Sequence, residues 1–543
     1  MSLQFITGNS GNGKTKYLFN RIVKEAKANP RDNYLVIVPE QFTMQTQRQL
    51  VDLSENKAIM NIDVLSFKRL AYRVFDELGI TNLTVLEETG KNLVLRKLAA
   101  QEADKLGVIG RNLNRIGYIS EVKSLLSELV QYNISPEELG RYIASGRLSD
   151  TLSDKLKDVL VLYEAFEKFM QDKYITAEEI LNVLSNVAEE SAILRNSVIA
   201  FDEFTGFTPI QNQLIKKLFV ISKKIYVTLT IDCREDIFKS RGMQELFDMP
   251  KRTVKSLTEM AAFYGIEVEE PIILDKNYRL AENEELSFME QQLFRKRRCS
   301  FKKVPKHIHI DCLRDPKQEL TKIARRINEL VRNENLRYRD IAIVTGDVNI
   351  YAGYVREIFD KYNIPYFIDA TQEILFHPFI EFIRSIPDIA AQNFSADAVF
   401  RFLRCGFSEL LDSEIDVLEN YVLACGVRGK SAWDKKWVRL PKHKAGYDIE
   451  LLNQSREYIM ELLKPVYQVF SDKKSTVKDY VLAIYKLIVL LDIPDKLAKK
   501  EQALLDAGDQ TASKEYGQIY KIVMQLFEKY VAVLGDECMD AEE

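Results

Sequence analysis

The sequence predicts an α/β fold built on parallel sheets, and three observations carry that prediction. An apolar stretch at residues 3–7 runs straight into Gly8-Asn9-Ser10-Gly11-Asn12-Gly13-Lys14-Thr15, then into an amphipathic pattern through Tyr17, Leu18, Ile22 and Val23. A second apolar stretch at 197–201 ends in two carboxylates, Asp202 and Glu203. Farther along, short β-prone runs alternate with helical periodicity, the pattern of strands joined by crossover helices.

The first strand delivers a loop of the form G-x-x-x-x-G-K-T. Its glycines let the backbone curl so that N–H groups face a phosphate. The helix opening near Lys14 points its positive end at the same place. Lys14 would reach the β- and γ-phosphates of ATP, and Thr15 would hold Mg²⁺. A chance glycine-rich turn is the competing reading, and the flanking strand and amphipathic helix weigh against it. Asp202 would hold Mg²⁺ directly or through water, and Glu203 would orient the attacking water. Alone, 197–203 could be a buried strand with a polar end; the loop upstream favours function.

Between Pro39 and Pro209 the only proline is Pro136, and apolar residues recur three and four apart at 117–130 and 156–166. A helical insertion therefore separates the loop from its acid. Strands are expected again at 308–312, 341–345 and 365–368, with helices at 318–331 and about 354–362, implying a second parallel sheet. From Phe379 onward the pattern is mostly helical.

The segments GNSGNGKTK, YLVIVPEQFTMQ, VLSFKRLAYRVF, IAFDEFTGFTP, NYRLAENEELSFMEQQLF, LRYRDIAIVTGDVNIYAGYVREIF and YNIPYFIDATQEILFHPFIEFI follow one another along essentially the whole chain. In that order they resemble the AddB family, subunits of bacterial AddAB helicase–nucleases, and more broadly the superfamily-one helicases. The resemblance implies a P-loop NTPase with tandem parallel-sheet motor domains. Residues 1–85 and 188–275 would form the first, with 86–187 as its helical insertion. Residues 276–378 would form the second, with 379–543 as its insertion. It also implies an AddA-like motor and nuclease subunit as heterodimer partner, single-stranded and duplex-end DNA as substrates, and scanning for a Chi-like sequence during double-strand break repair. The nuclease domain and its 4Fe–4S cluster would lie in a further C-terminal half. Arg279 resembles the helicase arginine that approaches the γ-phosphate, although a salt-bridged surface residue is the competing reading. No glutamine motif precedes the loop, and a late arginine finger has no counterpart. Both departures favour a weak ATPase over the alternative, a self-sufficient superfamily-one translocase.

Ligands of open parallel sheets meet the loops at the strand ends. After 36–39 come Gln41 and Thr43, which can hydrogen-bond base edges. After 63–65 come Phe67 and Arg69, which can stack on a base and bind phosphate. The resemblance places these four on the Chi-reading surface. Phe204 and Phe207 could add a stacking platform, with core packing an equal reading. Two basic runs stand out. The first, Arg295 to Lys306, reads as a linker; the second, Arg428 to Lys444, interleaves Trp433 and Trp437 and could track a strand. His307 and His309 share a face but have no further ligand nearby.

Composition narrows the classes. With 76 basic and 80 acidic residues in 543, net charge −4, any DNA site is a local patch on a near-neutral body. Six scattered cysteines without a C-x-x-C pair favour free thiols in a reducing compartment. No leader and no membrane-length apolar run is visible, so a soluble cytoplasmic protein is expected.

Overall fold

Parallel strands are buried on both faces, and in this chain that rule organises the first of two units. The computed structural model describes residues 1–80, 85–108, 110, 116–146, 148–171, 174–295, 299–369, 374–440 and 447–538. The units are 1–309 and 310–543.

The first unit opens with β1 (Ser2–Gly8), α1 (Lys14–Ala28), β2 (Tyr34–Ile37), α2 (Thr43–Leu53), β3 (Ile62–Leu65) and α3 (Phe67–Leu78). An excursion follows through β4 (Val85–Leu86), α4 (Glu88–Gln101), α5 (Ile116–Gln131), α6 (Pro136–Ala144), α7 (Asp150–Met170), β5 (Ile175–Thr176) and α8 (Ile180–Val187). The chain then completes the sheet with β6 (Val198–Phe201), α9 (Pro209–Ile221), β7 (Lys224–Thr230), α10 (Asp248–Phe263), β8 (Glu267–Val268), β9 (Ile272–Leu274) and α11 (Glu284–Gln292).

The sheet has seven strands in the order β3-β2-β6-β7-β1-β8, with β9 also on the outer edge of β1, and every pairing is parallel. The register aligns Val36, Ala200, Tyr226 and Gln4 across four strands. Alternation along the strands then sorts the core. Phe5, Leu35, Ile199, Phe201 and Val227 face α3, α8, α9 and α10, while Ile6, Val36, Ala200 and Tyr226 face α1 and α2. The helical insertion leaves and rejoins this body through the two-residue parallel ladder of β4 and β5.

In the second unit, α12 (Pro316–Asn333) and α13 (Val348–Lys361) pack through Leu320, Ala324, Ile327, Val355, Ile358 and Phe359. Among the described residues the expected second sheet is absent: 308–312, 341–345 and 365–368 carry no strand. Ile341 and Ile368 lean on the helix pair, but Val344 is 93 % exposed and Phe367 89 %. A parallel strand needs a ladder partner and cover on both faces; among the described residues no strand pairs with these segments, and Ile310 is as exposed as Val344. Helices from α14 (Pro378–Ala391) to α21 (Gln510–Leu534) then build a separate core. Among the described residues, no helix is long and apolar enough to cross a membrane.

That helical core corrects the strand-tracking reading of the second basic run. Trp433 is fully buried and Trp437 nearly so, their rings meeting edge-on at 5.3 Å. Arg456 donates to the Trp433 carbonyl at 2.8 Å, and Asn453 to that of Trp437 at 2.9 Å. The aromatics are structural and the lysines beside them are the solvated rim. Trp433→Ala should therefore destabilise the second unit by about 3–5 kcal/mol, read as an earlier urea transition. Lys435→Ala and Lys436→Ala should leave the midpoint where it is.

Candidate functional site

The loop after β1 folds as its glycines require. Gly11 and Gly13 hold φ of +88° and +79°, in the left-handed region that only glycine adopts freely. Gly8 is needed for a different reason: a Cβ there would lie 2.6 Å from the Leu274 carbonyl of β9. Gly13 then caps α1, leaving the helix's first N–H groups directed at the loop's concave side. Such an end can hold a phosphate-sized anion. Lys14 is turned back across the loop, donating to the carbonyls of Gly8 and Asn9, each at 3.0 Å. Burial pulls its pKa below the usual lysine value, against the pull of Glu203 and Asp202 and with some help from Arg279.

The two carboxylates expected to face this loop do so. The Thr15 hydroxyl lies 3.3 Å from both Asp202 and Glu203. β7, between β6 and β1, adds the Thr228 hydroxyl as a donor to Asp202. The second Asp202 oxygen is buried with no partner. Burial accordingly raises the Asp202 pKa, with Glu203 adding to the rise and the threonine hydrogen bonds opposing it. Glu203 follows at φ +64°, a left-handed conformation strained for a side-chain residue. Among the described residues no three His, Cys, Asp or Glu side chains gather as a metal cage. The hydroxyl of Thr15 and the orphaned oxygen of Asp202 are hard ligands of the kind Mg²⁺ takes beside substrate phosphates.

Residues 274–295 close over the loop from outside. The N–H groups of Tyr278 and Arg279 donate to the Gly11 carbonyl at 3.0 and 3.3 Å, and the Asn277 side chain donates to the Ser10 carbonyl at 3.0 Å. Arg279 is exposed beside the loop, and no carboxylate among the described residues pairs with it. The Asn12 side chain donates to the Leu274 carbonyl at 2.6 Å. These residues fall in the first unit.

Sequence reasoning missed a second layer. Asn9 is buried and its side chain is used at both ends: the amide donates to Glu290 of α11 at 2.9 Å, and the carbonyl oxygen accepts from the Cys233 N–H at 3.0 Å. Next to Cys233, the buried Asp232 takes two donors from the Arg234 side chain and one from Arg295, which lower its pKa far below the carboxylate range despite burial. The local signal was an acid ending the apolar strand β7, the same pattern as Asp202. Arg295 is thus an internal clamp; residues 296–298 of that basic run lie outside the described residues.

The strand-end residues divide. Gln41 and Arg69 are exposed. Thr43 is buried and donates to the Glu40 carbonyl at 3.0 Å. Phe67 is 7 % exposed, its ring 5.8 Å from Phe201 and 5.6 Å from Phe204, with Phe207 in the same cluster. Phe67 and Phe204 of this cluster line a groove of about 330 Å³, together with Pro39, Glu40, Lys68 and Gln211. In this cluster Phe204 and Phe207 are half-buried, whereas Phe67 and Phe201 are buried.

The raised Asp202 pKa fixes a sign. In the folded chain the proton is held more tightly than in the unfolded one, so the charged carboxylate opposes folding. That penalty is absent below the ordinary carboxylate pKa of about 4 and full once pH exceeds the raised value. Asp202→Asn should therefore melt at or above the native temperature at neutral pH, and the difference should vanish in acid. Calorimetry across pH checks both.

A family model described as "ADDB, N-terminal" matches residues 5–290. Among curated proteins, the chain is 37 % identical over its full length to an ATP-dependent helicase/deoxyribonuclease subunit of Lachnoclostridium phytofermentans, covering 48 % of that protein. Proteins of the same description from Clostridium acetobutylicum and Caldanaerobacter subterraneus are 31 % and 32 % identical, again along the full chain and over 48 % and 47 % of theirs. The chain spans about half the length of the curated relatives it matches, and it aligns with their N-terminal half.

Proposed function

Because the chain belongs to the ADDB N-terminal family, we propose that it is the nucleotide-binding, strand-scanning half of the AddB-type component of an ATP-dependent helicase–nuclease. In this reading it pairs with an AddA-like partner, processes DNA double-strand breaks for recombinational repair and inspects single-stranded DNA for a Chi-like sequence. Nuclease chemistry, and the iron–sulfur cluster, belong to the other half of the protein. The observation that carries the proposal is that the C-terminal ends of the sheet's strands hold both parts: Lys14, Thr15, Asp202 and Glu203, and the groove lined by Glu40 and Lys68, the sequence neighbours of the exposed Gln41 and Arg69.

The residues present suit Mg²⁺–ATP. Thr15 and the unpartnered oxygen of Asp202 would hold the metal, whose charge would offset that of the phosphates. Lys14 would exchange the Gly8 and Asn9 carbonyls for phosphate oxygens, regaining charge stabilisation that its burial removes. Glu203, exposed and already directed at Thr15, would orient water. Arg279 would add positive charge at the loop's open side. Hydrolysis by this chain alone is slow in this reading, and the AddA-like partner supplies unwinding.

Two measurements test it. Lys14→Ala should lower ATP affinity at least tenfold, since it removes a charge-assisted contact made in a partly desolvated site, and single-stranded DNA should raise turnover only slightly. Strong stimulation that Lys14→Ala abolishes would favour a self-sufficient translocase instead. Arg69→Ala should weaken oligonucleotide binding and reduce its salt slope by about 0.7, as followed by anisotropy titrations at several salt concentrations.

A further inference from the structure

The first turn of α9 has two occupied sides. Gln211 lines the strand-end groove, whereas Asn212 and Gln213 line a separate cleft of about 570 Å³. The far wall of that cleft is the end of α10, with Phe263 and Tyr264, and its rim is Tyr132 in the turn after α5. Phe263 is 82 % exposed and Tyr132 59 %, although the opposite face of α10 is buried through Val254, Leu257 and Ala261. The rings of Phe263 and Tyr264 meet edge-on at 5.0 Å.

The cleft's lining carries one lysine and one acid. Among the described residues Lys216 has no carboxylate partner, whereas its neighbour Lys217 is held by Glu189 at 2.7 Å. The one acid lining the cleft, Glu259, faces Lys255 at 3.9 Å. Exposed aromatic faces, side-chain amides and a free cation are the groups that hold unstacked nucleotides: rings stack on bases, amides meet base edges and lysine meets phosphate. A duplex backbone would need many more cations. An amphipathic partner helix would need a continuous apolar stripe, which the amides and Lys216 interrupt.

We infer that this cleft is a second single-stranded DNA site, which receives bases as they leave the strand-end groove across the first turn of α9. The inference rests on the strand-scanning reading above and adds a path to it. It predicts that affinity keeps rising with oligonucleotide length after the groove is filled.

The test compares oligo(dT) of increasing length, up to about 16 nucleotides, by fluorescence anisotropy. The proteins are the unaltered chain, Tyr132→Ala/Phe263→Ala, Lys216→Gln and Arg69→Ala. The double variant should lose at least fivefold in affinity for the longest oligonucleotide, and its affinity should stop rising at a shorter length. Tyr132→Phe/Phe263→Trp should restore it, which a merely structural defect would not allow. An oligonucleotide carrying 5-iododeoxyuridine should crosslink to Tyr132 or Tyr264. If the double variant and Lys216→Gln bind the longest oligonucleotide as the unaltered chain does while Arg69→Ala is weakened, the cleft is off the strand path and the inference fails alone. If the unaltered chain binds no oligonucleotide, the strand-scanning reading fails with it.

Discussion

One carboxylate oxygen, kept buried and unpartnered at the end of β6, is the constraint around which the first unit is arranged. Asp202 would be more stable exposed or fully hydrogen-bonded, since an unmet acceptor in a low-dielectric site keeps its desolvation penalty. The sheet satisfies only one of its oxygens, through Thr15 and Thr228. Glu203 adds backbone strain in the very next residue. An unmet acceptor followed by a left-handed residue, at the end of an otherwise regular strand, is the local cost that the proposed ligand site would account for. The apolar layers on both faces of the sheet supply the stability that offsets them.

The glycine-rich loop is held from behind as firmly as it is shaped from within. Gly8 answers the close approach of β9, whereas Gly11 and Gly13 answer backbone conformation. Asn9 and Asn12 tie the loop to Cys233, Glu290 and Leu274, and through Glu290 to the neighbourhood of Arg295 and Asp232. A loop fixed by its polar side chains need not reorganise to present N–H groups to an anion, which lowers the entropic cost of binding. Lys14 is the part left to move, because its present partners are two carbonyls of the loop itself.

What the sequence revealed depended on how local the signal was. The strand, loop and helix around Lys14, the acid pair at Asp202 and the helical insertion were legible because each is written in contiguous residues with a definite period. The meeting of Thr15 with Asp202, 187 positions away, followed because the chemistry demands both partners. Asn9 with Glu290, 281 positions apart, follows from no such demand and was invisible. Burial was the other blind spot. Phe67, Thr43, Trp433 and Trp437 have the composition of contact residues, yet neighbours distant in sequence enclose them. The runs at 308–312, 341–345 and 365–368 are apolar enough for strands, but propensity does not supply a ladder partner.

The two halves of the proposed site share a single piece of chain. Residues 202–207 begin at the acid pair facing Thr15 and continue through Phe204, which lines the strand-end groove next to the strained Glu203, to Phe207 packed against it. A relay of packed side chains is therefore unnecessary to connect them. If a bound nucleotide drew Glu203 out of its left-handed conformation, the change in φ would re-aim the following peptide and, with it, the Phe204 ring. That ring packs on Phe201, Phe67 and Phe207 at 5.2–6.2 Å, so it cannot shift without moving the groove wall. Close-packed contacts of this kind switch between discrete arrangements. In the proposed reading, the geometry that makes the site costly to fold would thus give nucleotide state a direct mechanical hold on the groove wall.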